Sequence, residues 1–184
     1  MRAAAIRATL AELAERGYAS FTLERVARRA GVHKATLYRR WGTREELVLE
    51  AMLERAGERI SVPDTGSLRG DLFGLARTAA ANAATPEVAA MARAVAAGSP
   101  HDSRLAAASH RFWAERLAID GVIVERAIER GEVRPGTEPG RVIEAVLGPI
   151  HLRLLLTGEP LDGGFLEEIV DVVVEGIALR TGRR

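Results

Sequence analysis

The order of residues predicts an all-α protein of about nine helices, with an N-terminal three-helix head and a C-terminal helical bundle. Three observations carry this. The 184 residues include 32 Ala and 25 Arg, both strong helix formers, against 2 Tyr and 2 Trp. Apolar residues recur at three- and four-residue spacing between Gly and Pro breaks. No segment of useful length shows the period-two alternation of a half-buried strand.

The elements follow in order. Ile6, Leu10 and Leu13 share one face of a helix over 3–16 that stops at Gly17. Thr22 can cap a second helix that buries Val26, Ala27 and Ala30 and closes at Gly31. A short third helix, roughly His33 to Arg40, spaces Leu37 and Trp41 four residues apart before Gly42. Thr43-Arg44-Glu45-Glu46 reads as a capping box opening a fourth helix with Leu47, Val48, Ala51 and Met52 on its apolar face. A break from Ser61 to Gly66 precedes a helix from Leu68 to Ala84, and Thr85-Pro86 starts another to Ala97. Long helices are expected over Ser103–Arg130 and Pro139–Thr157, and a last one over Phe165–Arg180.

Charge is unevenly spread. Residues 1–46 carry a net +5 and residues 47–184 a net −4, so the overall +1 conceals a basic head on a mildly acidic body. That asymmetry suits a polyanion-binding segment attached to a body with another task. Without Cys there is no disulfide, thiolate nucleophile or Cys-ligated metal. The four His, at 33, 101, 110 and 151, share no ligand spacing, and no nucleophile elbow or glycine-rich phosphate loop occurs. The expectation is a non-enzyme with no catalytic residues, metal or cofactor. No apolar run reaches the ~18 residues needed to span a bilayer and no signal-peptide pattern opens the chain, so no membrane association and a cytoplasmic location are expected.

The segment Phe21–Trp41 carries the functional signal. Two short helices joined through a tight turn at Gly31, with small Ala27 and Ala30 where they touch, make a helix-turn-helix. Val32, Leu37 and Trp41 anchor the second helix, which turns His33, Lys34, Thr36, Tyr38, Arg39 and Arg40 outward. Such a helix fits the major groove, where Lys donates to guanine and a Thr methyl meets that of thymine. Hydroxyls and Arg side chains suit phosphates, which set register without reading sequence.

From Gly17 to Leu47 the chain resembles the DNA-binding domain of the TetR family of bacterial transcriptional regulators. The matching residues are Gly17-Tyr18, Thr22, Val26-Ala27, Ala30-Gly31-Val32, Lys34, Thr36-Leu37-Tyr38, Trp41 and Arg44-Glu45-Glu46-Leu47. The resemblance implies phosphate contacts for Thr22, Thr36, Tyr38 and Arg44, and a base-edge or phosphate contact for Lys34. It implies less for His33, Arg39 and Arg40, whose positions vary in the family. Glu24 departs from the pattern, since some relatives place a basic base-reading residue there and a carboxylate repels phosphate.

Residues 147–161, ending in Leu-Thr-Gly-Glu-Pro-Leu, resemble one subgroup of TetR-type C-terminal domains. The resemblance implies a DNA-binding head over 1–46 and an effector-binding and dimerisation domain over 47–184. It also implies a ligand-responsive repressor, a homodimer on a palindromic double-stranded DNA operator, and a small-molecule effector whose identity the sequence does not disclose. The dimer face is expected at Val146, Ile150, Leu154, Ile169, Val173 and Ile177, from the apolar excess of the last two helices. Met52, Phe73, Met91, Phe112, Trp113 and His151 are candidates to line the effector pocket, although each also suits ordinary core. The competing readings are a helical-bundle binding protein or enzyme without DNA function, and an architectural DNA-binding protein. The latter would not need 138 residues of acidic body.

Overall fold

The computed structural model describes residues 1–57 and 62–178. Among these, nine α-helices run in the order α1 (Arg2–Arg16), α2 (Leu23–Ala30), α3 (Lys34–Trp41), α4 (Arg44–Gly57), α5 (Leu68–Ala83), α6 (Pro86–Gly98), α7 (Ser103–Glu129), α8 (Pro139–Leu152) and α9 (Gly163–Ile177). A 3₁₀ turn at Ser99–His101 links α6 to α7. The all-α expectation holds, the one extended pairing among the described residues being an isolated antiparallel bridge between Val133 and Ala178. Ser61 and the expected terminus of the last helix at Arg180 lie outside the described residues.

Capping explains most boundaries. Thr22 accepts a bond from the Arg25 amide, Thr43 from Glu46, Glu138 from Arg141 and Asp162 from Phe165. Each satisfies one of the amide groups that a helix start leaves without an internal partner. Asp102 does the same for α7, accepting from the amides of Arg104 and Leu105.

One boundary departs from expectation. The helix predicted to run through Thr157 ends as α-helix at Leu152 and widens into a π-helical turn over Arg153–Thr157, with the Gly158 amide bonded to the Arg153 carbonyl at 2.8 Å. The guanidinium of Arg153 lies 3.4 Å from the centre of the Phe165 ring and donates to the Pro160 carbonyl. These contacts tie the 153–160 segment to the start of α9 and accompany the wider turn.

The chain divides into two units. The first holds α1 to α4 together with Ala83–Trp113, which means α6 and the first part of α7. Its core joins Leu13, Phe21, Val26, Leu37, Trp41, Leu47 and Val48 to Met91, Val95, Leu105 and Phe112. Close packing at this junction needs a glycine: a Cβ on Gly98 would stand 2.7 Å from the Tyr18 ring and 2.8 Å from Leu105.

The second unit holds α5, the remainder of α7, α8 and α9. It buries Leu72, Leu75, Ile123, Val124, Ile143, Ile150, Leu166 and Val170. The start of α5 is tied down twice: Glu132 accepts from the Leu68 amide at 2.7 Å, and Arg69 pairs with Asp171 at 2.6 Å.

Candidate nucleic-acid interface

The turn between α2 and α3 is built from backbone chemistry. Gly31 sits at φ +67°, a conformation that side-chain-bearing residues adopt only at a cost. It lets the amides of Gly31 and Val32 reach back to the carbonyls of Arg28 and Ala27, at 3.3 and 3.0 Å. Residue 33 is extended, and α3 starts at once with a new direction.

Leu37 and Trp41 then enter the core, and the Trp41 indole donates to Glu50 on α4 at 2.5 Å. With that face pinned, Lys34, Ala35, Tyr38 and Arg39 turn to solvent. Tyr38 keeps 43% of its surface exposed, its hydroxyl free to meet solvent or a polar partner. Thr36 is half-buried on the first turn, while Thr22 and His33 stand exposed at the two N-caps. Arg40 lies 5.2 Å from the Trp41 ring centre and 3.8 Å from Glu50, which directs it toward α4.

Two departures from expectation concern charge. Lys34 forms an ion pair with Glu24 at the start of α2, and its ammonium stands 5.2 Å from the Tyr38 ring centre. The hydrogen bond raises the lysine above its ordinary range and holds the Glu24 carboxyl below its own. The residue singled out for reading bases thus carries its own carboxylate.

Arg44, expected at a phosphate, is turned inward. It donates to Glu45 at 2.8 Å, to Asp102 at 3.1 Å and to the Phe21 carbonyl at 3.3 Å, and covers the Tyr18 ring at 4.4 Å. Two carboxylates and a carbonyl at fixed distances engage the guanidinium inside the unit. Tyr18 completes the cluster, donating to Glu45 at 2.7 Å and Asp102 at 3.0 Å. Asp102 lies 84 positions beyond Tyr18, and no local sequence signal joins the two.

Two family models match the chain. The model for bacterial regulatory proteins of the tetR family covers residues 5–51, and the tetracyclin repressor-like C-terminal domain covers residues 62–173. The chain belongs to the TetR family.

Among similar proteins, the HTH-type transcriptional regulator AqdR of Rhodococcus erythropolis is 33% identical, over 92% of this chain and 81% of that protein. The DNA-binding transcriptional repressor TetR of Mycobacteroides abscessus is 32% identical, over 99% of this chain and 95% of its own. The crystal structure of a TetR family transcription regulator superposes with a TM-score of 0.79 at 30% identity, covering 95% of this chain and 97% of the other. The protein is therefore a DNA-binding helix-turn-helix transcriptional regulator.

The remaining residues expected to act in this TetR-family chain are distributed as follows. Met52, Met91 and Phe112 are buried in the core of the first unit, with Trp113 packed against it and edge-on to Phe112 at 5.1 Å. Phe73 and His151 belong to the second unit, where the His151 ring bonds the Leu147 carbonyl at 2.8 Å. The six are thus divided between the units and form no single cluster within either.

An open cleft in the first unit is lined by Thr43, Glu45, Glu46, Arg104, Ala107, His110 and Arg111. The residues expected at a dimer face are placed as follows. Val146 and Ile150 are 0% and 1% exposed, because they point into the core of their own unit. Leu154, Ile169, Val173 and Ile177 are half-buried. The outward apolar side chains on these elements are Leu152, Leu156 at 78% and Val172 at 71% exposure.

Proposed function

We propose that the chain is a ligand-responsive repressor that acts as a homodimer on a palindromic operator, in the cytoplasm and without catalytic activity of its own. In this reading residues 1–46 bind DNA, and residues 47–184 bind an effector and a second subunit. The observation that carries it is the outward face of α3, where Lys34, Tyr38 and Arg39 stand exposed on a helix whose opposite side is locked by Leu37 and Trp41. The sign of regulation is supported by the Mycobacteroides abscessus relative, which is a transcriptional repressor.

Two α3 helices, one per subunit, would enter successive major grooves about 34–36 Å apart. Thr22, His33, Thr36, Tyr38, Arg39 and Arg40 would position the head on phosphates while Lys34 reads a base. The effector acts by favouring a state in which that spacing is lost, and its effect is bounded by its differential affinity for the two states. The Tyr18–Arg44–Glu45–Asp102 cluster joins the start of α4 to the cap of α7, a physical route by which movement of α7 would reach the head.

Footprinting upstream of the chain's own gene, with variants tested on the protected duplex, examines this reading. Lys34→Ala should weaken operator binding by about 1 to 3 kcal/mol and flatten the preference at one base position per half-site. Tyr38→Phe should cost less and act nearly equally on specific and unrelated DNA. If both variants bind as the wild type does, α3 is not the reading element and the proposal fails.

A further inference from the structure

Glu24 and Lys34 lie on different helices, ten positions apart in the chain, and meet on the exposed side of the head. Glu24 occupies the first turn of α2, just after the Thr22 cap, and Lys34 opens α3. Both side chains are about half exposed, at 46% and 52%. At such exposure an ion pair contributes little to stability, so the fold gives no strong reason for it.

The pairing changes what the two groups can do on DNA. Together they are neutral, so Lys34 adds little to the general attraction of phosphates. The ammonium has three N–H donors and spends one on Glu24, leaving two. The carboxylate stays ionised at neutral pH and is an acceptor only, with lone pairs to spare. The Tyr38 ring beside the ammonium limits where those donors aim.

In the major groove a G·C pair shows two acceptors, guanine N7 and O6, next to one donor, the cytosine amine. The two remaining lysine donors, followed by the carboxylate acceptor, complement that order of two acceptors and a donor. An A·T pair presents adenine N7 as acceptor, then the adenine N6 amine as donor and thymine O4 as acceptor, so in the same register the second lysine donor would face the amine and the carboxylate would face O4.

We propose that Glu24 and Lys34 act as one donor–acceptor couple that reads a G·C pair in each half-site, with Lys34 donating to guanine and Glu24 accepting from the cytosine amine. This rests on α3 being the recognition helix, and adds that the start of α2 reads sequence too. The carboxylate also rejects phosphate at that position, holding the couple to the base edge.

The test is selection from a randomised duplex library with the full-length chain and its Lys34→Ala, Glu24→Ala and Glu24→Gln variants. Thermal melting serves as the control for folding. The wild type should select G·C at one position per half-site. Lys34→Ala and Glu24→Ala should each lower that preference about tenfold at this same position and leave the others unchanged. Glu24→Gln should shift the preference there toward A·T, because an amide can bond adenine twice.

Should Glu24→Ala raise affinity for all duplexes alike while keeping every positional preference, Glu24 merely tempers charge and the inference is overturned. It is equally overturned if the loss falls at a different position from that of Lys34→Ala. Either result leaves α3 as the reading helix, provided that Lys34→Ala still relaxes one position. Loss of the reading helix itself would instead show as wild-type binding by Lys34→Ala and Tyr38→Phe together.

Discussion

The phenol of Tyr18 donates toward two carboxylates at once, and the guanidinium of Arg44 covers its ring. Burial first, and then the bond to Glu45, push its ionisation well above the ordinary phenol range, so it remains a donor throughout. Burial opposes ionisation of Glu45, but the bonds from Tyr18 and Arg44 prevail and leave its carboxyl below the usual range. The backbone amide of Leu105, assisted by Tyr18 and Arg44, lowers Asp102 as well. Tyr18→Phe should therefore destabilise the chain by about 2 kcal/mol in chemical denaturation, since hydrogen bonds to charged partners are lost. Both folded carboxylate values lie below the unfolded ones, so this stabilisation is full above the ordinary carboxylate range and lost as pH falls through the folded values. Between about pH 5 and pH 3 the wild-type melting temperature should fall more steeply than that of Asp102→Asn. Parallel curves would show that Asp102 contributes nothing through its charge.

At the scale of elements, two glycines decide where helices meet. Gly31 supplies the positive φ that lets α3 leave α2 after a single residue, and Ala there should cost about 1 to 2 kcal/mol through backbone strain. Gly98 is needed for space instead. In Gly98→Ala the new methyl would meet the Tyr18 ring and Leu105, both packed in the core, and overpacking of this kind costs about 1 to 3 kcal/mol. The two variants should separate in spectroscopy. Gly98→Ala should alter the near-ultraviolet dichroism of the tyrosines, whereas Gly31→Ala should leave it close to wild type while lowering the melting temperature. An unchanged melting temperature for Gly98→Ala would mean that the end of α6 yields without strain.

At the scale of the whole molecule, the proposed homodimer needs a surface for its second subunit. Leu152, Leu156 and Val172 offer apolar area to solvent on the α8 and α9 segments, whereas Val146 and Ile150 have none left to offer. If these exposed side chains belong to the dimer face, Val172→Glu and Leu156→Glu should each shift the chain toward monomer in sedimentation, weaken operator binding and keep the helix content. Ile150→Glu should act differently. A carboxylate with no partner in the core of the second unit should cost several kcal/mol and reduce helix content before any effect on assembly can be read. A Val172→Glu, Leu156→Glu double variant that still sediments as a dimer would place the interface elsewhere.

What the sequence by itself determined is whatever repeats with the local period of the chain. The nine helices, the Thr22, Thr43 and Pro86 starts, the glycine turn and the inward Leu37 and Trp41 follow from spacing and capping, which act over a few residues. The candidate DNA-facing positions on α3 were legible for the same reason, because one face of a short helix is set once its anchors are known. Tertiary structure alone decided the rest. Glu24 reaches Lys34 only because the turn folds α2 onto α3, and Arg44 points inward because Asp102 arrives from α7. Periodicity told that α8 has an apolar side, but not whether Ile150 faces its own core or the outside. Likewise α6 and the first part of α7 complete the core of the head although they lie beyond α5 in the chain. Such choices depend on which surfaces meet, and burial is a property of neighbours that may stand eighty residues apart rather than of the local spacing.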